Sequence, residues 1–226
     1  MKVLCVVAHP DDEVIGVGGT LAKHAEAGHE VRVCVLAQTG VSRAEEITPE
    51  VEARQRSRRD ATQRACDRLG VRSVRFHDFP ENEFDAVPLI DLVQTVEAEI
   101  DDFAPDVIYT HHYGDLNISH ELTCRAVGTA ARPLPESTVS RVLGFETLSS
   151  TEWATPDGRT DFSPTSFVDV SAHLDTKLAA LEEHEGELRS HPHPRNVDNV
   201  RRNAMLWGAK AGLEAAEPFV LLREIR

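Results

Sequence analysis

The chain has 226 residues, 41% of them hydrophobic, which is enough to bury the core of one α/β domain spanning residues 1–226. Its formal net charge of −14 excludes a broad electropositive face, and with it a nucleic-acid partner or an anionic membrane surface. No basic start precedes an apolar stretch and no apolar run is long enough to span a bilayer, so the expectation is a soluble, unexported, cytoplasmic protein without a membrane span.

The first strand is predicted over residues 3–7, an apolar run that ends in Ala8-His9-Pro10-Asp11-Asp12-Glu13. Polar clusters at strand ends are where α/β proteins keep their chemistry. His9 and Asp12 are spaced to share one metal ion, with Asp11 between them directed at water on that ion. Gly16, Gly18 and Gly19 do not form a dinucleotide fingerprint, because a G-x-G-x-x-G run from Gly16 needs glycine where Leu21 stands. They are read as a tight turn leading into a helix over residues 19–27, with Thr20 near its start.

Strands over residues 31–36, 74–76 and 107–109 alternate with helical periodicity over 51–69 and 89–103. This rhythm predicts an α/β fold, a Rossmann-like three-layer sandwich with a mostly parallel sheet. In such a sheet the carboxyl ends of the strands share one crevice, so residues 9–13 and 111–120 are expected to meet. The second segment, His111-His112-Tyr113-Gly114-Asp115-Leu116-Asn117-Ile118-Ser119-His120, holds three histidines and also reads as a helix start capped by Asn117 or Ser119.

Further strands are predicted over residues 141–145, 167–170 and 219–222, and helices over 172–188 and 197–211, adding a mixed-direction edge. The cysteines Cys5, Cys34, Cys66 and Cys124 lack C-x-x-C spacing and are read as reduced core residues. Trp153 and Phe162 are considered as a sugar-stacking face, and Glu13 as a brace for a metal ligand. His191 and His193, in a Pro-bracketed loop, are read as loop residues rather than ligands.

Ala8-His9-Pro10-Asp11-Asp12-Glu13, taken with His-His-x-x-Gly-Asp-Leu-Asn-x-x-His over residues 111–120, resembles the PIG-L/LmbE-like N-deacetylases. These are zinc-dependent enzymes that remove acetyl groups from N-acetylglucosamine-type sugars and their conjugates. Leu69-Gly70-Val71, residues 146–153 and residues 216–219 are supporting landmarks. The resemblance implies zinc held by His9, Asp12 and His120, Asp11 as general base, a small amino-sugar or glycoconjugate substrate, and a homo-oligomer. The residue types agree with it. Two imidazoles and one carboxylate leave a fourth zinc position open, zinc lowers the pKa of water from about 15.7 towards about 7, and a neighbouring carboxylate takes the proton. Other divalent ions also suit such donors.

The chain departs from the commonest family pattern, His-x-Asp-His, at Asn117 and Ser119. Asn117 is expected to donate an amide hydrogen bond to the oxyanion, an interaction typically worth about 3–4 kcal/mol. It cannot act as an acid. The proton for the leaving amine is therefore assigned to Asp11 after its service as base, or to a histidine, with His112 preferred. Arg43, and Arg58 in the helix where the family carries an arginine, are expected to bind substrate. The alternatives are an amidase acting on another acylated sugar conjugate, and a metal-containing carbohydrate-binding protein without turnover.

Overall fold

The computed structural model describes residues 1–38, 48–156, 158 and 160–226. The apolar runs become strands of one sheet: β1 (Lys2–Val7), β2 (Glu30–Gln38), β3 (Ser73–Pro80), β4 (Val107–His111), β5 (Arg141–Phe145), β6 (Ser166–Asp169) and β7 (Ala216–Glu224). Val3, Leu4, Cys5, Val6 and Val7 are wholly inaccessible, as a strand covered on both faces requires. Among the described residues the strand order is β3-β2-β1-β4-β5-β7-β6. The first five of these are mutually parallel. β7 runs antiparallel to both β5 and β6, which supplies the mixed-direction edge.

The helices are α1 (Asp12–Glu26), α2 (Pro49–Arg68), α3 (Leu89–Phe103), α4 (Ile118–Ala130), α5 (Leu174–Leu181) and α6 (Val197–Ala211). Residues of α1, α2, α5 and α6 form one core against the sheet, and residues of α3 and α4 form the other. This is the three-layer arrangement expected from the sequence. After β1 the chain builds outward through β2 and β3; after β4 it builds the other way, so the crevice opens at the carboxyl ends of β1 and β4. The four cysteines are buried and free.

Two expectations need correction. The first helix starts at Asp12, seven residues earlier than the predicted 19, and runs through all three glycines. They serve close packing rather than a turn: a Cβ on Gly16 would lie 2.2 Å from Phe145 Cδ2, and one on Gly19 would lie 2.9 Å from Val170 Cβ. The approach admits a buried ion pair, Lys177 Nζ to Glu217 Oε1 at 2.6 Å. Glu217 accepts from the main-chain N–H groups of Gly19 and Thr20, while Lys177 donates to the carbonyl of Ile15 at 2.8 Å. The predicted helix over 172–188 is instead α5 flanked by 3-10 turns at Ser171–His173 and Glu182–His184, the second of which turns His184 into the interior. No helix of the described residues is long and apolar enough to cross a membrane.

Candidate active site

β1 ends at Val7 and α1 begins at Asp12, so four residues must reverse the chain. Asp11 absorbs the reversal with φ 97°, a left-handed conformation that a non-glycine residue adopts only under constraint from its surroundings. Its carbonyl then accepts from the N–H groups of Val14 and Ile15, which starts the helix. The same turn brings the His9 N–H onto Asp12 Oδ2 at 2.9 Å. At the end of β4, Asn117 caps α4, its side-chain oxygen accepting from Ser119 N–H at 2.9 Å. That cap aims the first turn of α4, with His120, at the β1 loop.

The two segments meet as expected. His9 Nδ1 lies 3.1 Å from His120 Nε2, and Asp12 Oδ2 lies 3.3 Å from each of these nitrogens. Donor atoms bound tetrahedrally at about 2.0–2.1 Å to one ion stand about 3.3–3.4 Å apart, so the three atoms fit a zinc-sized ion. One more observation agrees. Burial disfavours the imidazolium of His120, yet Asp12 and Asp115 outweigh it and raise that group to about 9. The pocket attracts a cation.

Asp115, which sequence reasoning left without a role, supports His120 from behind. Its Oδ1 lies 3.1 Å from His120 Nδ1, and its carboxylate accepts from Ser150 Oγ, from Thr151 Oγ1 at 2.5 Å and from Asn117 N–H at 2.8 Å. Burial opposes its ionisation, but His120 and the two hydroxyls prevail and hold it at about 2. An ionised carboxylate at Nδ1 leaves Nε2 for a metal. Glu13, read as the brace for a ligand, instead accepts from the main-chain N–H of Asp11 at 3.1 Å and faces His184 at 3.5 Å. It steadies the candidate base.

Asp11 itself is buried and takes Arg195 Nη1 on Oδ2 at 2.9 Å. Burial pushes its carboxyl up to about 6 against the pull of Arg195. Arg195 was missed in the sequence. The signal available was the Pro-bracketed loop before it, where His193 Nδ1 accepts from Arg195 N–H at 3.1 Å and so sets the arginine's backbone.

The other expected residues are placed as follows. Asn117 Nδ2 donates to Asn82 Oδ1 at 3.2 Å, which uses one of its two amide hydrogens. His112 is not among the converging donors: its Nε2–H donates to the Thr160 carbonyl at 2.7 Å, and its ring packs on Tyr113 and Phe162. Burial lowers its pKa, which weakens it as an acid reservoir at neutral pH. His111 stacks on His120 and accepts from Ala8 N–H at Nε2, and burial lowers it to about 4, so it stays neutral. Arg58 is held by Glu81 at 2.7 Å and Glu187 at 3.4 Å, and it lines a cleft of about 760 Å³ with Arg54 and Arg64. Arg43 lies outside the described residues. Trp153 is half exposed with its ring against His193, whereas Phe162 packs on His112 and Trp207.

The chain is similar to known proteins. The chain is 28% identical to a 1D-myo-inositol 2-acetamido-2-deoxy-alpha-D-glucopyranoside deacetylase of Thermomonospora curvata, over 81% of this chain and 79% of that one. It is 26% identical to the diacetylchitobiose deacetylase of Thermococcus kodakarensis, over 96% of this chain and 81% of that one. Its fold matches the crystal structure of the 4-carboxy-2-hydroxymuconate hydratase of Pseudomonas putida, with a TM-score of 0.78 and 23% identity over 100% of this chain and 97% of that one. At that identity the likeness concerns the fold alone, and a hydratase on this scaffold means that chemistry has to be argued from the site. Residues 4–131, which include His9, Asp11, Asp12, Asp115 and His120, match the family model described as GlcNAc-PI de-N-acetylase, and the chain belongs to that family, PIG-L.

Proposed function

We propose that this deacetylase removes the acetyl group from an N-acetylglucosamine-type sugar or sugar conjugate by metal-assisted hydrolysis, with His9, Asp12 and His120 as the metal ligands. The observation that carries the reading is the convergence of those three donor atoms at 3.1–3.3 Å, with the buried carboxylate of Asp11, whose backbone is left-handed, on the intervening loop. A bound zinc-class ion supplies Lewis acidity and makes water acidic enough to give up a proton near neutral pH.

The protein's own groups do the rest. Asp11 takes the proton of the attacking water on its carboxylate and returns it to the sugar nitrogen as the C–N bond breaks, giving acetate and a free amine. Arg195 and the contact of Glu13 with the Asp11 N–H hold that carboxylate in one orientation. The free amide hydrogen of Asn117 is available to the oxyanion. This route gives both proton transfers to Asp11 and needs none from His112. Arg58, whose charge acts on the Asp11 carboxylate, is the residue assigned to meet the remainder of a conjugate.

The test is acetate release from N-acetylglucosamine, diacetylchitobiose and an inositol-linked N-acetylglucosamine, with wild type beside Asp11→Asn. Acetate from at least one substrate is expected. The variant should lose about 10²–10⁴-fold in turnover, as removal of a general base does, with its metal content unchanged. Release of a larger acid from an acylated conjugate would point to the amidase reading. Binding without any product in metal-loaded protein would overturn catalysis altogether.

A further inference from the structure

Apart from His9, Asp12 and His120, one other group of metal-ligating side chains converges among the described residues. Cys34 on β2, His77 on β3 and Glu99 on α3 each present one donor atom, all within 4.8 Å of one another. The local fold explains the meeting. Cys34 pairs with Arg75 in the parallel register, so period-two alternation sends His77 to the same face of the sheet as Cys34. α3 covers that face, and Glu99 lies on the side of α3 that packs there. Cys34 and Glu99 are buried, whereas the His77 side chain is 28% exposed and gives access from solvent.

We propose that Cys34, His77 and Glu99 form a second metal site that takes a borderline-soft divalent ion of the zinc class, separate from the active site. Sulfur, imidazole and carboxylate together are a zinc donor set; magnesium and calcium, which take oxygen ligands, are excluded by two of the three. Charge balances as well. A thiolate and a carboxylate offset a divalent ion, while the nearby Arg32 is neutralised by Asp102, with Nη1 2.7 Å from Asp102 Oδ2. The same Nη1 lies 3.1 Å from Glu99 Oε2 and leaves Oε1 facing His77 Nε2 at 3.1 Å. A guanidinium on the far oxygen of a ligating carboxylate is the kind of outer contact that orients metal ligands.

Such an ion would tie β3, which lies at the edge of the sheet, to β2 and α3. The chain leaving β3 carries Glu81, Asn82 and Phe84, which contact Arg58, Asn117 and His9 in turn. The second ion would therefore steady one wall of the active site. The proposal does not depend on the deacetylase reading, and it is tested without activity.

The experiment is cobalt(II) substitution of the full chain, read by ions bound per chain and by the thiolate-to-cobalt charge-transfer band in the near ultraviolet. The His9, Asp12 and His120 set has no sulfur, so it cannot give that band. Wild type is expected to bind two ions and show the band, and His9→Ala to keep the band while losing one ion. Cys34→Ser should lose the band and one ion while the His9, Asp12 and His120 set keeps its own. His77→Gln, at a partly exposed position that threatens folding less, should weaken the band-forming site at least tenfold. One ion per chain at saturating cobalt with no band would overturn the proposal, as would a band that survives Cys34→Ser or that forms in His77→Gln with wild-type cobalt affinity. If Cys34→Ser does not fold, His77→Gln decides the matter alone.

Discussion

Two ends of one sheet each bring a pair of histidines to hydrogen-bonding distance, and the pairs behave in opposite ways. At the carboxyl ends of β1 and β4, His9 Nδ1 faces His120 Nε2 at 3.1 Å; at the amino end of β2, His24 Nδ1 faces His29 Nδ1 at 2.9 Å. The first pair stands before Asp12 and Asp115, which overcome burial and raise His120 to about 9. The second stands among cations. Burial, His29, Lys23, Arg141 and the amino terminus together lower His24 to about 4. The Tyr109 hydroxyl, 3.0 Å from His24 Nε2, occupies its remaining ring nitrogen. Histidine pairs of nearly equal spacing thus make a cation-attracting centre in one place and a neutral, closed joint in the other. The neighbouring charges decide which.

The comparison breaks most visibly at Asp115. Asp115→Asn removes the charge behind His120 and should lower metal affinity about 10–100-fold, the usual cost of losing an outer partner of a ligating imidazole. Competition against a chelator measures this directly, and activity should recover at high metal concentration. Unchanged affinity would mean that Asp12 alone makes His120 a cation-seeking group.

Arg195→Met sharpens the comparison on the active-site side by leaving the ligands intact and freeing Asp11. A misplaced base costs up to about 100-fold, so kcat should fall about 10–100-fold with KM and bound metal little changed. A rise in KM alone would instead make Arg195 a substrate contact.

The smallest effect is expected at the neutral pair. His24 is held near 4 in the folded chain against about 6.5 when unfolded, so only the unfolded chain takes up its proton between those values. The stability this gives is present above about pH 6.5 and is lost as pH falls towards 4. For a part-exposed group it amounts to about 1–2 kcal/mol after allowance for solvent screening. His24→Gln should therefore flatten the urea-midpoint profile between pH 6.5 and 4 without altering turnover at neutral pH. An unchanged profile would show that other groups carry the acid sensitivity.

Much of this was legible in the chain before any coordinates. The strand runs and Leu89–Phe103 gave the parallel sheet, the strand-end rule brought residues 9–13 and 111–120 together from more than 100 residues apart, and the family resemblance picked His120 from the second segment. The glycines misled, because a G-x-G-G run looks like a turn until Phe145 and Val170 are seen pressed against it. The long reach of Arg195 to Asp11, across 184 residues, left no local pattern to read. His112 sat in the right motif, yet its Nε2–H donates to the Thr160 carbonyl, a partner that no spacing rule supplies.

The sequence by itself determined the strand and helix alternation, the residue types of the candidate metal set and the start of α4 at Asn117 or Ser119, because each depends on neighbours a few residues away. Only the tertiary structure decided which carboxylate supports His120, which cation holds Asp11, and why three glycines lie inside a helix. Those outcomes depend on burial and on partners distant in the chain. An electrostatic contact is strong enough to fix a side chain only once the fold has removed the water around it.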